Sequence, residues 1–184
     1  MSLLDVQNFL ARIYTDAQLR REFLSAPERI GLENNLNEQE ISELAEVLPE
    51  ELNCFSESLV LKRLREVEKL LPLTRRILDK DFELYFREFA NLFLPESIKK
   101  HLEDAIGFAN FLQEKQNDWR RDVVKFEQAK LEFNACSKRF VFKIFDYDIK
   151  EISRTDAKTQ RKFKKKKTFA VWLRIGKQTR HFIW

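Results

Sequence analysis

The feature that most constrains the fold is a change of hydrophobic period close to Lys138. Before it, apolar residues recur every three or four positions, the spacing of amphipathic helices; after it, Phe140, Phe142 and Ile144 alternate with Val141, Lys143 and Phe145, the spacing of strands. Charge changes at the same place. Residues 139–184 hold 14 Lys+Arg against 4 Asp+Glu, a net +10, which leaves 20 against 26, a net −6, for residues 1–138. The chain therefore reads as an acidic helical domain, 1–138, followed by a basic β-sheet tail, 139–184, packed on it, and the predicted fold class is α+β.

Composition agrees with this reading. A chain of 184 residues, 43% hydrophobic and 12% aromatic, has material for one good core and a small second one. Only 3 Gly and 4 Pro suit long helices better than a many-stranded sandwich. Met1 to Asp5 lacks the basic start and apolar run of a signal peptide, and no segment approaches the ~20 apolar residues of a membrane span, so a cytoplasmic protein is expected. Cys54 and Cys136 have neither C-x-x-C spacing nor nearby histidines, and are expected to be reduced packing residues.

Periodicity and capping signals predict a bundle of about six helices. Thr15 with Gln18 reads as a capping box that starts a helix at Asp16, and Asn37 with Glu40 reads as a second, stapled by Leu36 and Ile41. Pro27 and Gly31 punctuate the gap. Leu52 to Leu71 follows helical spacing until Pro72, and Phe82, Tyr85, Phe86, Phe89 and Phe93 form another stripe. Pro95 to Gln116 presents Ile98, Leu102, Ala105, Ala109 and Leu112 on one face, and Trp119, Val123, Phe126 and Phe133 continue beyond Asn117.

The tail predicts about three antiparallel strands. Phe140 to Phe145 is apolar on both faces and should be internal or covered; Thr168 to Ile175, a turn at Gly176-Lys177 and Thr179 to Trp184 make a hairpin. Ser153 to Lys167 reads as a polar connector. So small a sheet leaves an edge that can accept an extended peptide as an added strand, unless a helix covers it or charges blunt it.

Lys162, Lys164, Lys165, Lys166 and Lys167 form a candidate site for an anionic partner, and Phe163, Trp172 and Trp184 stand close enough in sequence to stack on bases. A nucleic-acid-associated protein is the alternative this supports. No helix-turn-helix, zinc-finger or RNP signature accompanies the run, and a solvated loop is the commoner explanation of such a run. Catalysis has little to build on: the two histidines, His101 and His181, lack neighbours at ligand spacing, and no phosphate loop, nucleophile elbow or H-E-x-x-H occurs. Asp146 and Asp148 read as a solvated pair. No catalytic residue, metal or cofactor is expected, and the chain reads as a noncatalytic protein.

Leu10-Ala11-Arg12-Ile13-Tyr14-Thr15-Asp16, Leu19-Arg20, Phe23, Phe55, Ser58-Leu59, Lys62-Arg63, Leu70-Leu71-Pro72-Leu73-Thr74, Phe82, Phe86 and Phe89 follow one another in an order that resembles the accessory-domain family of bacterial multinuclear iron oxidases that modify ribosomal peptides. Phe126-Glu127, Thr168, Ala170-Val171-Trp172-Leu173-Arg174 and Gly176 are similar to the β end of that family, whose best-known members are partner subunits in methanobactin biosynthesis. Lys164 to Lys167 matches nothing in the family pattern. The resemblance implies a partner oxidase that holds the iron and a precursor peptide whose leader this chain helps to present. On that basis Phe169, Val171, Trp172 and Arg174 are expected to bind peptide, with Trp172 offering apolar area and Arg174 forking onto a carboxylate. Lys62 and Arg63 occupy the family's most recognisable position and are expected at a partner interface, with helix solvation or a buried ion pair as the other readings.

Overall fold

The structure is a computed structural model that describes residues 3–47, 49–155, 163–176 and 178–184, with side chains from Asp5 onward. The described residues form ten helices and a three-stranded antiparallel sheet, an α+β fold. The helices are α1 (Leu3–Thr15), α2 (Ala17–Ser25), α3 (Pro27–Glu33), α4 (Glu38–Ala45), α5 (Pro49–Leu70), α6 (Pro72–Leu78), α7 (Lys80–Ala90), α8 (Lys100–Lys115) and α9 (Trp119–Ala135). Strand β1 (Phe140–Tyr147), the short α10 (Ile149–Arg154), β2 (Lys165–Ile175) and β3 (Gln178–Ile183) follow. Two compact units result, Met1–Lys62 with Ala90–Leu94, and Arg63–Phe89 with Pro95–Trp184. The division thus runs through α5, away from the charge step at Lys138, because the strands share a core with α9 and α10.

The first unit closes over Phe9, Ile13, Leu19, Phe23, Ile30, Leu36, Ile41 and Leu52. Its second helix is capped by Asp16, whose side chain accepts from the amides of Gln18 and Leu19. Thr15 does not cap it: this residue ends α1, and its hydroxyl is already committed to the carbonyl of Ala11 at 2.8 Å. At Asn37 both bonds of the predicted capping box are present. Pro27 and Gly31 do not mark a gap. Pro27 sits in the first turn of α3, where its missing N–H costs nothing, and Gly31 lies inside that helix because Ile41 occupies the space a Cβ would need.

In the second unit Phe108 of α8 stacks its edges and faces against Phe82, Phe86 and Phe89 of α7 at centroid distances of 5.1, 5.2 and 5.5 Å. Helix α8 begins only at Lys100, so Ile98 lies in the preceding loop, fully exposed rather than on the buried face. Helix α9 is the platform for the sheet: Val123, Phe126, Ala129 and Phe133 meet Phe145, Ile149, Ile152, Ala170 and Trp172 in one core. Asp122 on the same helix accepts from the amides of Asp146 and Tyr147 at 2.6 and 3.2 Å, where the β1–β2 register shifts.

Glu127, also on α9, accepts from the amides of Leu73 and Thr74 at 2.8 and 2.7 Å and so satisfies the first turn of α6, which has no cap side chain of its own. Burial pushes its carboxyl above the ordinary range, against the pull of those two amides. A carboxyl raised in the folded state contributes stability below its unfolded range and loses it as pH rises through the folded value. The stability difference between wild type and Glu127→Gln is therefore expected to shift against wild type as pH is raised from mildly acidic to neutral. Glu127→Ala, which orphans both amides, is expected to cost about 2–4 kcal/mol. Urea unfolding at a series of pH values checks both.

Candidate interaction site

The sheet order is β1-β2-β3, so β2 is flanked on both sides, with Phe142 opposite Val171 and Val171 opposite Phe182. This corrects the expected peptide site. Phe169, Val171, Trp172 and Arg174 all lie on the central strand, whose backbone groups are used by its neighbours, so they have no edge to offer a peptide. Trp172 is only 2% exposed and packs on Phe126 at 5.4 Å. Arg174 donates to the carbonyls of Phe133 and Cys136 at the end of α9, 2.8 and 2.6 Å away, and lies over the Phe133 ring. It binds the helix C-terminus, where carbonyls lack intrahelical partners and the dipole favours a cation.

Among the described residues the free edges belong to β1 and β3. Arg174 donates its amide to the carbonyl of Arg139, and antiparallel pairing then makes Val141, Lys143 and Phe145 the residues bonded to β2. The backbone groups of Phe140, Phe142 and Ile144 consequently face outward from the sheet. By the same alternation, starting from the mutual bonds of Phe169 and Trp184, those of Thr179, His181 and Ile183 face outward from β3.

The two faces of the sheet also differ. Thr168, Ala170 and Trp172 turn toward α9 and are buried. The opposite face presents Phe140, Phe142, Ile144, Ile175, Phe182 and Trp184, each 43–65% exposed, with Phe142 stacked on Phe169 at 6.0 Å. The alternation in β1 led to the expectation of a covered strand; instead only its Phe145 side meets the core. An apolar patch of this kind is a candidate interaction surface, since monomers rarely leave more than a few hundred Å² of contiguous apolar area bare.

The last three lysines of the run are not part of a connector: Lys165, Lys166 and Lys167 open β2, and Lys165 pairs with Tyr147. Lys164, Lys165 and Lys167 are exposed. Lys166 is held by Asp148, its Nζ 2.6 Å from the carboxylate, a bond that pulls the Asp148 carboxyl down and raises the ammonium. Lys162 lies outside the described residues. Asp148 is further engaged, accepting from the amide of Glu151 to cap α10, so it is not half of a free acidic pair.

Of the expected interface pair, Lys62 is exposed, whereas Arg63 forks onto Asp104 through bonds of 3.1 and 2.7 Å and lies near the Phe86 ring. Its guanidinium fills the role of a buried ion pair and is not presented to a partner. Cys54 is exposed and so is not the packing residue expected; Cys136 is half-buried, and both are free thiols. His101 and His181 are exposed, and among the described residues no cluster of three or more His, Cys, Asp or Glu is placed to hold a metal ion. No described helix is long and apolar enough to cross a membrane.

No protein-family model, curated protein or solved structure matches this chain, so the resemblance to the oxidase accessory family rests on its own residues.

Proposed function

We propose that the protein is a noncatalytic partner protein that takes an extended polypeptide segment along the free edge of β1. The observation that carries this reading is a coincidence of position. The three residues whose backbone groups face outward, Phe140, Phe142 and Ile144, are also three of the six exposed large apolar residues in and beside the sheet. An added strand gains backbone hydrogen bonds for register, and its alternate side chains lie beside those three, which supplies apolar burial and selectivity. Lys143, which points to the other face, blunts the edge against indiscriminate pairing. In the reading that the resemblance favours, the segment is the leader of a precursor peptide and the enzyme that acts on it is an iron oxidase, to which this chain contributes binding and no metal chemistry.

A short peptide selected from a random library for binding to the full chain provides the probe. Proline at Ile144 removes an outward N–H as well as the side chain, whereas alanine removes the side chain alone, and neither breaks a bond to β2. Ile144→Pro is expected to weaken the peptide by about tenfold more than Ile144→Ala, an increment near 1.4 kcal/mol. Equal losses in the two variants would contradict strand addition. The nucleic-acid reading draws on exposed Lys164, Lys165 and Lys167. Submicromolar affinity for DNA or RNA at physiological salt, abolished by changing these lysines to Gln, would put it first.

A further inference from the structure

The outward face of the sheet adjoins the β1 edge and shares Phe140, Phe142 and Ile144 with it, but extends across β2 to β3. We infer that it docks an amphipathic helix of another protein, with acidic residues flanking that helix's apolar stripe. This rests on the preceding reading only in taking the partner to be a polypeptide.

Three observations converge on this occupant. The face is bare: taking about 150–250 Å² for a whole aromatic residue, Phe140, Phe142, Phe182 and Trp184 alone leave roughly 400 Å² uncovered at their observed exposures. Helix α9 already fills the other side, so a helix on this side completes a helix–sheet–helix sandwich. The dimensions also match. Three strands about 4.8 Å apart span about 10 Å between the outer axes, close to the width of one helix, and the length from Lys167 to Ile175 is about 26 Å, or about 17 helical residues.

Charge selects the sign of the flanks. Lys167 falls on the same alternation as Phe169 and Val171, and Arg180 stands on the matching face of β3 opposite Leu173. Asp146 is the acidic residue on the corresponding alternation of β1. Acidic flanks complement this rim, and a basic helix is repelled by it. Face-to-face pairing of two copies would set Lys167, Arg180 and two segments of net +10 against each other, which disfavours a second copy as the occupant.

The test uses the full chain and two displayed libraries of helical peptides about 17 residues long, with apolar residues at every third or fourth position and either Glu/Asp or Lys/Arg on the flanks. The acidic library is expected to enrich. The peptides it yields should bind at least about tenfold more weakly to Phe182→Ser and to Ile175→Ser, and no more weakly to Ile144→Pro than to Ile144→Ala, since a docked helix takes no bond from the outward N–H. Both serine positions are exposed, so urea unfolding should show wild-type stability in each. Failure of the acidic library to enrich, enrichment of the basic one instead, or binding indifferent to both serine variants would overturn the inference. Peptides that bind Ile144→Pro more weakly than Ile144→Ala and are indifferent to Phe182→Ser would overturn it while leaving strand addition intact. Binding to phosphatidylserine vesicles lost in Phe182→Ser, with no peptide selected, would assign the face to a membrane and equally overturn it.

Discussion

Replacing Trp172 by Ala is expected to destabilise the sheet-bearing unit by about 3–5 kcal/mol, the usual range for removing a large aromatic side chain from a core. The indole is 2% exposed and packs on Phe126 of α9 in the core that Phe145 and Ala170 share, so its removal empties part of the helix–sheet contact. The cavity cannot close cheaply, since β2 is fixed by a ladder on each side. Urea unfolding followed by near-UV circular dichroism reads the change. A Trp172→Ala protein of wild-type stability that has lost only peptide binding would return this residue to the ligand surface and contradict its structural assignment.

Arg63→Met is expected to cost about 3–5 kcal/mol, the range for stranding one charge of a buried pair. The Asp104 side chain is 1% exposed and would keep a charge with both of its bonds from Arg63 lost. The double variant Arg63→Met with Asp104→Leu is expected to recover most of the loss, because the two charges leave together and apolar groups of similar volume take their place. Denaturation midpoints of the two single variants and the double variant form a closed cycle. Additive losses, with no recovery in the double variant, would show that the pair is not coupled and that Arg63 stabilises by another route.

Much of the fold was readable in advance because local chemistry is sufficient for it. The period-two segments became β1, β2 and β3 to within a few residues, and Asn37 with Glu40 formed both bonds of its box, since a cap depends only on side chains three positions apart. Where two residues competed for one role, the signal misled: Thr15 and Asp16 can both cap, and only the end of α1 decides between them. The lysine run reads as a loop because repeated lysines carry no alternation, although Lys165 pairs with Tyr147.

The candidate site was less legible, and the reason is geometric. Strand order decides which strand has an edge, and neither period nor composition encodes that Thr168 to Ile175 would lie between the other two. Arg174 carried a correct hint, a guanidinium able to fork onto oxygen acceptors, but its acceptors are the carbonyls of Phe133 and Cys136, which no linear pattern reveals. The apolar alternation on both sides of β1 predicts burial on both. A sequence marks a face as fit for covering without marking whether the cover belongs to the same chain, and Phe140, Phe142 and Ile144 stay open to solvent.

Amide hydrogen exchange of the full chain, alone and saturated with a peptide selected for binding, tests most directly whether the sheet is where a partner docks. Strand addition predicts slowed exchange at Phe140, Phe142 and Ile144, whose amides face outward, with little change at Val141 and Lys143, whose amides are already bonded to β2. Protection confined to the helices, with none from Phe140 to Tyr147 or from Lys165 to Trp184, would contradict the account.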